Sequence, residues 1–449
     1  MISKTHESRR RRQLALLLGV LSACSARAIS GLCSLLQVPP LLALLGPEGF
    51  GLWATLHAGI GLAGMLDGGV GYRLQHVAAI QAAAGRPGAL RNDLRTVVPL
   101  IAGIALAGAL LGALPGAGVW IALLGVTDPA LGSALTSTLP VLLALSATAI
   151  LAQLGPRLAA GLQQQWLVGA SQAATSMLTL AAVLAAAVAE LAPTVVIGLT
   201  LALPLLVNST ILLALWAKLP AAPAAAPAGA GRYLRDSLPF FVPQLCAALR
   251  TTVPPMLLAN FFGAAAVTPY TLLTKLLNLL AQPQQWMLDP LWPAYTDAAS
   301  RGDYTWVRRA LALSFLVSLG LALLPTLSAL IWAPAFVTWW TGLPPNTLPT
   351  GLLLWLVICQ AALVLTTPLT LCLNGLGRLD RQTFYGTFAL AFGLGGMVLV
   401  CRAGNAPLAL APLALAFAVI NLPCAAVDLL GVLRSLNFTA TKVRAATAA

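Results

Sequence analysis

Charged residues are scarce in this chain: they make up 8% of its 449 residues, whereas 59% are hydrophobic. Soluble domains carry roughly 25% charged residues, so this composition excludes an ordinary soluble protein. Apolar runs of about 20 residues recur along the whole length, and a helix of that size spans the ~30 Å hydrocarbon core with its backbone hydrogen-bonded internally. The sequence therefore predicts an all-α polytopic membrane protein.

Patterns for catalysis and metal binding are also missing. Only three histidines are present, and there is no Walker-type glycine loop and no metal-spaced His/Cys cluster. The seven cysteines lie mostly in apolar runs without paired spacing, which does not indicate a disulfide framework. We expect no enzyme activity, no catalytic residue, no metal site and no cofactor.

The apolar runs and their breaks predict about twelve transmembrane helices. Their bounds are 14–45, 49–82, 96–117, 134–162, 166–189, 193–217, 236–262, 265–298, 308–332, 349–375, 382–402 and 407–433. If the chain starts in the cytoplasm, 19 of its 25 Lys and Arg residues fall on cytoplasmic segments. Because Lys and Arg resist translocation, both termini are predicted to be cytoplasmic. The same placement of basic residues accounts for the net charge of +13, so the charge does not indicate nucleic-acid binding.

The N-terminal stretch SRRRRQLALLLGVLSAC, residues 8–24, has two interpretations. It satisfies the pattern of a lipoprotein signal peptide cut before Cys24. The apolar run continues past Cys24 to Leu45, however, which favours a basic cytoplasmic anchor followed by the first transmembrane helix.

A Pro/Ala/Gly-rich linker divides the chain into two halves of six helices each. The predicted order is a basic tail at 1–13, an N-terminal lobe at 14–218, a cytoplasmic linker at 219–235, a C-terminal lobe at 236–433 and a tail at 434–449. VPPLLALLG from Val38 repeats as VPPMLLANFFG from Val253, which aligns Gly46 with Gly263. Parallel repeats of this kind predict pseudo-symmetric lobes around a central cavity that holds the substrate site.

Predicted helix 8 carries a polar stripe. Lys275, Asn278, Gln282, Gln285 and Asp289 recur at spacings of three, four, three and four, an arc of about 80° on a helix. Such a stripe favours the wall of an aqueous cavity over hydrogen bonding within a packed bundle.

Helix 1 shows a weaker stripe. It places Arg27, Ser30, Ser34 and Gln37 on one face.

In helix 2, His57 and Asp67 share a face and could form a protonatable or ion-coupling pair, with Asp289 as a further candidate. Arg73 and Arg157 lie near cytoplasmic helix ends, where extension to lipid headgroups is expected. A buried charge costs several kcal/mol in the bilayer, so each of the other charges within the predicted helices needs either a partner or a function.

The membrane-embedded cations Arg27, Arg250 and Lys275 outnumber Asp67 and Asp289. A cavity with this balance attracts an anionic headgroup, and arginine suits phosphate through its planar donors.

Two proline pairs lie at corresponding places in the halves. Pro39 with Pro40 and Pro254 with Pro255 are expected to break helices 1 and 7, either as hinges or as static kinks.

Residues 38–92 resemble Wzx-type flippases of lipid-linked oligosaccharides, members of the multidrug/oligosaccharidyl-lipid/polysaccharide exporter superfamily. The resemblance rests on the helix ending in LGPEGFGLW from Leu45, on LDGGVG from Leu66, and on the amphipathic exit near Gly85. It implies a V-shaped bundle of two lobes in the bacterial inner membrane. It also implies translocation of an undecaprenyl-diphosphate-linked sugar unit for O-antigen, capsule or exopolysaccharide assembly.

The resemblance further implies membrane lipid, a polysaccharide polymerase and chain-length machinery as partners. Related lipid II flippases use cavity arginines on helices 1, 2 and 8, and Arg27 and Lys275 lie in two of those helices. A cation-coupled multidrug exporter of the same superfamily and a membrane enzyme or scaffold stay open as alternatives.

Overall fold

A computed structural model describes residues 25–83, 87–162, 164–220, 229–288, 291–300, 302–344, 347–376 and 379–432. Within these ranges the secondary structure is helical and contains no β-strand, so the all-α prediction is confirmed. The basic tail at 1–13, the signal-peptide question at Cys24 and the tail at 434–449 lie outside the described residues. The chain forms two compact units, Met1–Thr268 and Pro269–Ala449.

The N-terminal unit contains ten helices among its described residues. They are α1 Ser25–Leu36, α2 Val38–Ala63, α3 Val70–Ala83, α4 Pro87–Ala113, α5 Gly116–Leu123, α6 Pro129–Ala152, α7 Leu154–Gly161, α8 Gln165–Val188, α9 Pro193–Lys218 and α10 Ala230–Phe262. The unit has a continuous aliphatic core between α3, α4, α7 and α9. Its members include Val70, Leu74, Leu90, Leu94, Leu154, Leu158, Ile211 and Leu215.

The C-terminal unit contains the remaining helices. They are α11 Val267–Leu288, which begins two residues before the boundary, α12 Leu291–Ser300, α13 Tyr304–Ser318, α14 Leu324–Thr341, α15 Thr350–Gly375, α16 Leu379–Arg402, α17 Ala411–Leu415 and α18 at 422–432. Two π-helical segments, Leu319–Leu323 and Ala416–Asn421, join α13 to α14 and α17 to α18. The core of this unit includes Tyr295, Val307, Leu369, Cys372, Leu373 and Leu429.

Ten helical segments of the described chain are long and apolar enough to cross a membrane, and eleven are if the bent pair α1 and α2 counts as one span. Each of the ten corresponds to one of the predicted helices 3 to 12. The bent pair covers parts of both predicted helices 1 and 2. The boundary predicted between them lies inside α2, which continues through the non-helical residue Gly46. The multi-pass membrane architecture is therefore confirmed.

Gly46 and Gly263 adopt the same unusual backbone. Gly46 has φ 66° and ψ 175°, and Gly263 has φ 85° and ψ 161°. Only glycine enters this region readily. The alignment of Gly46 with Gly263 in the sequence repeat thus corresponds to a shared turn geometry.

Several predicted elements differ in the structure. Predicted helix 2 is interrupted between Ala63 and Val70, where Gly68 and Gly69 have positive φ angles. Predicted helix 8 corresponds to α11 and α12, which lie on either side of residues 289 and 290, outside the described residues. Residues 87–95, predicted as a basic loop, form the first turns of α4, because a polar helix start carries no apolar run to mark it.

Candidate substrate site

The three predicted substrate-binding cations lie in helices that could span a membrane. Arg27 is half-buried in α1 and Arg250 is half-buried in α10, both in the N-terminal unit. Lys275 is half-buried in α11, in the C-terminal unit. Placing a charge at such a position costs several kcal/mol unless it faces protein or water.

The stripe of predicted helix 1 follows the joint between α1 and α2. Ser30 and Ser34 are half-buried, and Gln37 is buried in the turn where α1 ends. The Ser30 hydroxyl oxygen is buried and has no hydrogen-bond partner in the described part of the chain. This joint bends the pair α1 and α2 by 46°.

The side chains of the stripe in predicted helix 8 differ in their exposure. Lys275 and Gln282 are half-buried, whereas Asn278 and Gln285 are exposed. Asp289, the fifth member, lies outside the described residues. The assignment of the stripe to a cavity wall therefore stays a prediction.

The face of α11 opposite the stripe carries a buried glutamine. Gln284, which the stripe omits, is only 1% exposed and donates from Nε2 to Ser318 Oγ at 2.8 Å and to the Val364 carbonyl at 2.7 Å. A glutamine on the side of the helix away from the stripe is the only signal that the sequence offers. Gln284 ties α11 to the rest of the C-terminal unit.

Asp67 terminates the break in predicted helix 2 by capping α3. Its carboxylate accepts hydrogen bonds from the backbone N–H groups of Gly69 (2.9 Å) and Gly71 (2.6 Å). Gln244 Nε2 of α10 donates to the Met65 carbonyl at 2.8 Å and lies 3.3 Å from Asp67 Oδ1. Sequence reasoning missed Gln244 because its partners are about 180 residues away.

His57 lies on the other side of that break. Its exposed ring stacks on Trp53, with the ring centroids 5.6 Å apart. The shared face with Asp67 requires a continuous helix, and the interruption after Ala63 removes that basis. Ion coupling through His57, Asp67 or Asp289 stays a prediction.

Arg73 and Arg157 contact protein groups, which corrects the expectation that they extend to headgroups. The Arg73 guanidinium pairs with Asp236 at 2.7 Å and lies 4.3 Å from the centre of the Tyr233 ring. Arg157 stacks over the Tyr72 ring at 3.6 Å. A nearby aromatic ring and carboxylate offer a guanidinium direct partners without extension to the lipid.

The two proline pairs also behave differently. Pro39 and Pro40 open α2 directly after the turn at Gln37, as expected for a break. Pro254 and Pro255 are buried within α10, which continues from Ala230 to Phe262, so the predicted break there is absent. Proline removes one helical hydrogen bond but does not by itself end a packed helix.

Several carboxylates of the described membrane helices are engaged in structural contacts. Glu48 Oε1 accepts from the backbone N–H groups of Thr127 (2.8 Å) and Asp128 (3.0 Å). Asp428 pairs with Arg381 at 3.3 Å. Together with the capping role of Asp67, these contacts commit acidic groups to holding the fold.

A small apolar cavity of about 60 Å³ lies between α2, α6 and α9 of the N-terminal unit. Leu52, Leu56, Leu142 and Ile197 contribute to its lining. Its size and apolar walls do not suit a diphosphate or a sugar, so it is not a candidate for the headgroup site.

No protein-family model matches the chain, and no curated protein matches it at a significant level. Solved structures do match. An inward-facing multidrug resistance transporter of the MATE family, in the MOP superfamily, aligns with a TM-score of 0.67 at 15% identity, over 94% of this chain and 99% of its own. The lipid II flippase MurJ, in an inward closed conformation, aligns with a TM-score of 0.71 at 11% identity, over 92% and 87%.

The MATE multidrug transporter DinF-BH, in a ligand complex, aligns with a TM-score of 0.66 at 13% identity, over 94% of both chains. At these identities the matches show the fold and not the substrate. The chain therefore has the fold of MOP-superfamily transporters, a fold that multidrug exporters and a lipid II flippase share.

Proposed function

We propose that the chain is a flippase that moves undecaprenyl-diphosphate-linked oligosaccharide across the bacterial inner membrane by alternating access, with both termini in the cytoplasm. The observation that carries the proposal is the sign of the charges in candidate membrane spans. Arg27, Arg250 and Lys275 are cations at half-buried positions, whereas Glu48 and Asp67 serve as caps for backbone N–H groups. A site of this polarity favours an anionic headgroup.

In this proposal, the three cations replace the hydration shell of the diphosphate while the polyprenyl tail stays in the lipid. Arginine supplies paired donors to phosphate oxygens, and lysine supplies a mobile point charge. An inside-negative membrane potential favours outward movement of negative charge by ~2.3 kcal/mol per charge per 100 mV, provided that the charge is not neutralised. The electrical driving force therefore acts in the direction required for export.

The experiment is a flipping assay in proteoliposomes with a short-chain polyprenyl-diphosphate oligosaccharide. We expect the combined change Arg27→Gln, Arg250→Gln and Lys275→Gln to slow flipping at least about tenfold, equivalent to ~1.4 kcal/mol. Arg402→Gln is the matched control, because Arg402 is exposed at the end of α16. Unchanged flipping by the triple variant would exclude the proposed headgroup site.

The second candidate is a cation-coupled multidrug exporter, which the fold match to MATE transporters favours. This alternative requires membrane-embedded carboxylates to bind cationic drugs. It predicts uptake of a fluorescent organic cation into the same vesicles, driven by a sodium or proton gradient and abolished by Asp67→Asn. The flippase proposal predicts neither result.

A further inference from the structure

Helix α10 is the first helix of the C-terminal half in the sequence, yet it lies in the N-terminal compact unit, which extends to Thr268. It packs along α2 and α3. Contacts along its first half and at its C-terminal end explain this placement.

In its first half, α10 is bonded to the break in predicted helix 2. Gln244, 6% exposed, donates to the Met65 carbonyl and lies beside the Asp67 carboxylate. Asp67 in turn holds the first turn of α3 through Gly69 and Gly71. A displacement of α10 would leave these buried polar groups without partners, which is costly in a low-dielectric interior.

The preceding turns of α10 are fixed to α3 by Arg73. Its guanidinium pairs with Asp236, stacks on the Tyr233 ring and donates to the Tyr233 carbonyl at 3.1 Å. The Tyr233 ring belongs to the aliphatic core of the N-terminal unit and is 2% exposed. Burial raises the pKa of the Tyr233 phenol, as does the nearby Asp93 carboxylate, whereas Arg73 lowers it.

At its C-terminal end, α10 enters a junction of three backbone turns, which we call the turn junction: residues 46–51, 122–128 and 259–268. The Ala264 N–H donates to the Gly125 carbonyl at 2.9 Å, and Thr268 Oγ1 donates to the Pro47 carbonyl at 2.6 Å. A Cβ on Gly125 would lie 1.8 Å from the Ala259 carbonyl oxygen. The turns therefore touch backbone to backbone.

We infer that α10 moves with α1 to α9 as one rigid body, so that the transporter divides mechanically at Thr268 and Pro269 and not at the linker 219–235. The inference rests on the proposed function only in assuming that the two units move during transport. It assigns seven of the predicted helices to the first moving body and five to the second.

Three spin-label pairs test this inference in the full-length protein with its seven cysteines replaced. Leu213 in α9, Leu238 in α10 and Phe388 in α16 are exposed positions that accept a label. Under conditions that shift the transporter between its conformations, the distance from 238 to 388 should change together with the distance from 213 to 388. The distance from 213 to 238 should keep one narrow peak, and a second peak there would overturn the inference.

A second measurement does not depend on the substrate. Arg73→Ala combined with Gln244→Leu removes polar contacts of the first half of α10 and should broaden the distribution from 213 to 238. The matched control is Gln285→Leu, since Gln285 is exposed in α11 and should leave the distribution unchanged. An unaltered distribution in the double variant would show that these contacts do not hold α10.

Cross-linking separates this inference from the proposed function. A Cβ on Gly59 would lie 3.7 Å from the Met256 side chain, so Gly59→Cys and Met256→Cys can be joined by a short bismaleimide. Flipping by the cross-linked protein should stay within twofold of the unlinked variant, and a tenfold loss would overturn the inference. If the protein without these substitutions does not flip the oligosaccharide lipid at all, the proposed function fails, and the label distances still decide how α10 moves.

Discussion

The two segments that begin with Val-Pro-Pro share these three residues and have different backbones around them. Pro39 and Pro40 follow a turn and open α2, whereas Pro254 and Pro255 lie inside the continuous helix α10. The prolines of the first pair are half-buried, and those of the second are buried. A proline pair thus marks where a helix can bend, and the packing around it decides whether it does.

The two segments nevertheless end alike. Each runs into a glycine of positive φ, and the turns that follow meet at the turn junction. The cations are placed differently: Arg27 lies twelve residues before the first proline of its segment, and Arg250 lies four before. The repeat therefore preserves backbone geometry at its ends more closely than it preserves the position of charge.

The largest expected effect on stability comes from the contact between the turns that follow the two Val-Pro-Pro segments. A Cβ on Gly51 would lie 1.8 Å from the Ala264 carbonyl oxygen, so Gly51→Ala forces two backbones apart. We expect a loss of more than about 3 kcal/mol of stability, measured as the thermal midpoint of the folded fraction in detergent.

Gly61→Ala is the control for that change. Gly61 is helical, and a Cβ added there would have nothing within 4 Å, so alanine should be neutral or stabilise by up to ~1 kcal/mol. Equal stability of the two variants would contradict the close approach at the turn junction.

Intermediate effects are expected at the paired glycines. Gly46→Ala and Gly263→Ala should each cost about 1–3 kcal/mol, because both glycines occupy a backbone region that a Cβ strains and neither has a steric clash. Thermal midpoints of the two variants, measured side by side with Gly103→Ala as a helical control, should fall together. Divergence by more than about 1 kcal/mol would show that the two turns are not equivalent.

The proline pairs should give the smallest effect and the sharpest contrast. Replacing Pro39 and Pro40 by alanine restores two helix N–H donors and should straighten the joint between α1 and α2. We expect flipping to fall about fivefold, equivalent to ~1 kcal/mol. The same change at Pro254 and Pro255 should alter flipping by less than twofold, because α10 is already continuous. An equal loss in both variants would mean that the joint at Gln37 has no special role.

The membrane architecture can be predicted from the sequence because the length of an apolar run is a local property of the chain. Predicted helices 3 to 12 follow from runs that each span the bilayer, and the equivalence of Gly46 and Gly263 follows from spacing alone. Local reasoning also places a linker at 219–235, but it cannot find the contacts that attach α10 to the N-terminal unit.

What the sequence could not predict depends on partners distant in the chain. Gln244 and Met65 are 179 residues apart, and Arg73 and Tyr233 are 160 apart, so neither pair leaves a periodic signal. The charge of Asp67 suggests ion coupling, whereas its carboxylate caps the helix that follows it. A residue type indicates which contacts are available, and only the fold determines which of them is made.

The turn junction has a consequence for biogenesis. Its three parts, at residues 46–51, 122–128 and 259–268, leave the ribosome far apart in time, and Glu48 joins Thr127 long before Thr268 reaches Pro47. The first six predicted helices can therefore insert and associate early, while the surface of their bundle that contacts α10 stays uncovered until α10 is synthesised. A gene split within the linker would produce an N-terminal fragment that lacks part of its own core, Tyr233 included. A split after residue 268 would give two fragments that each contain a whole compact unit.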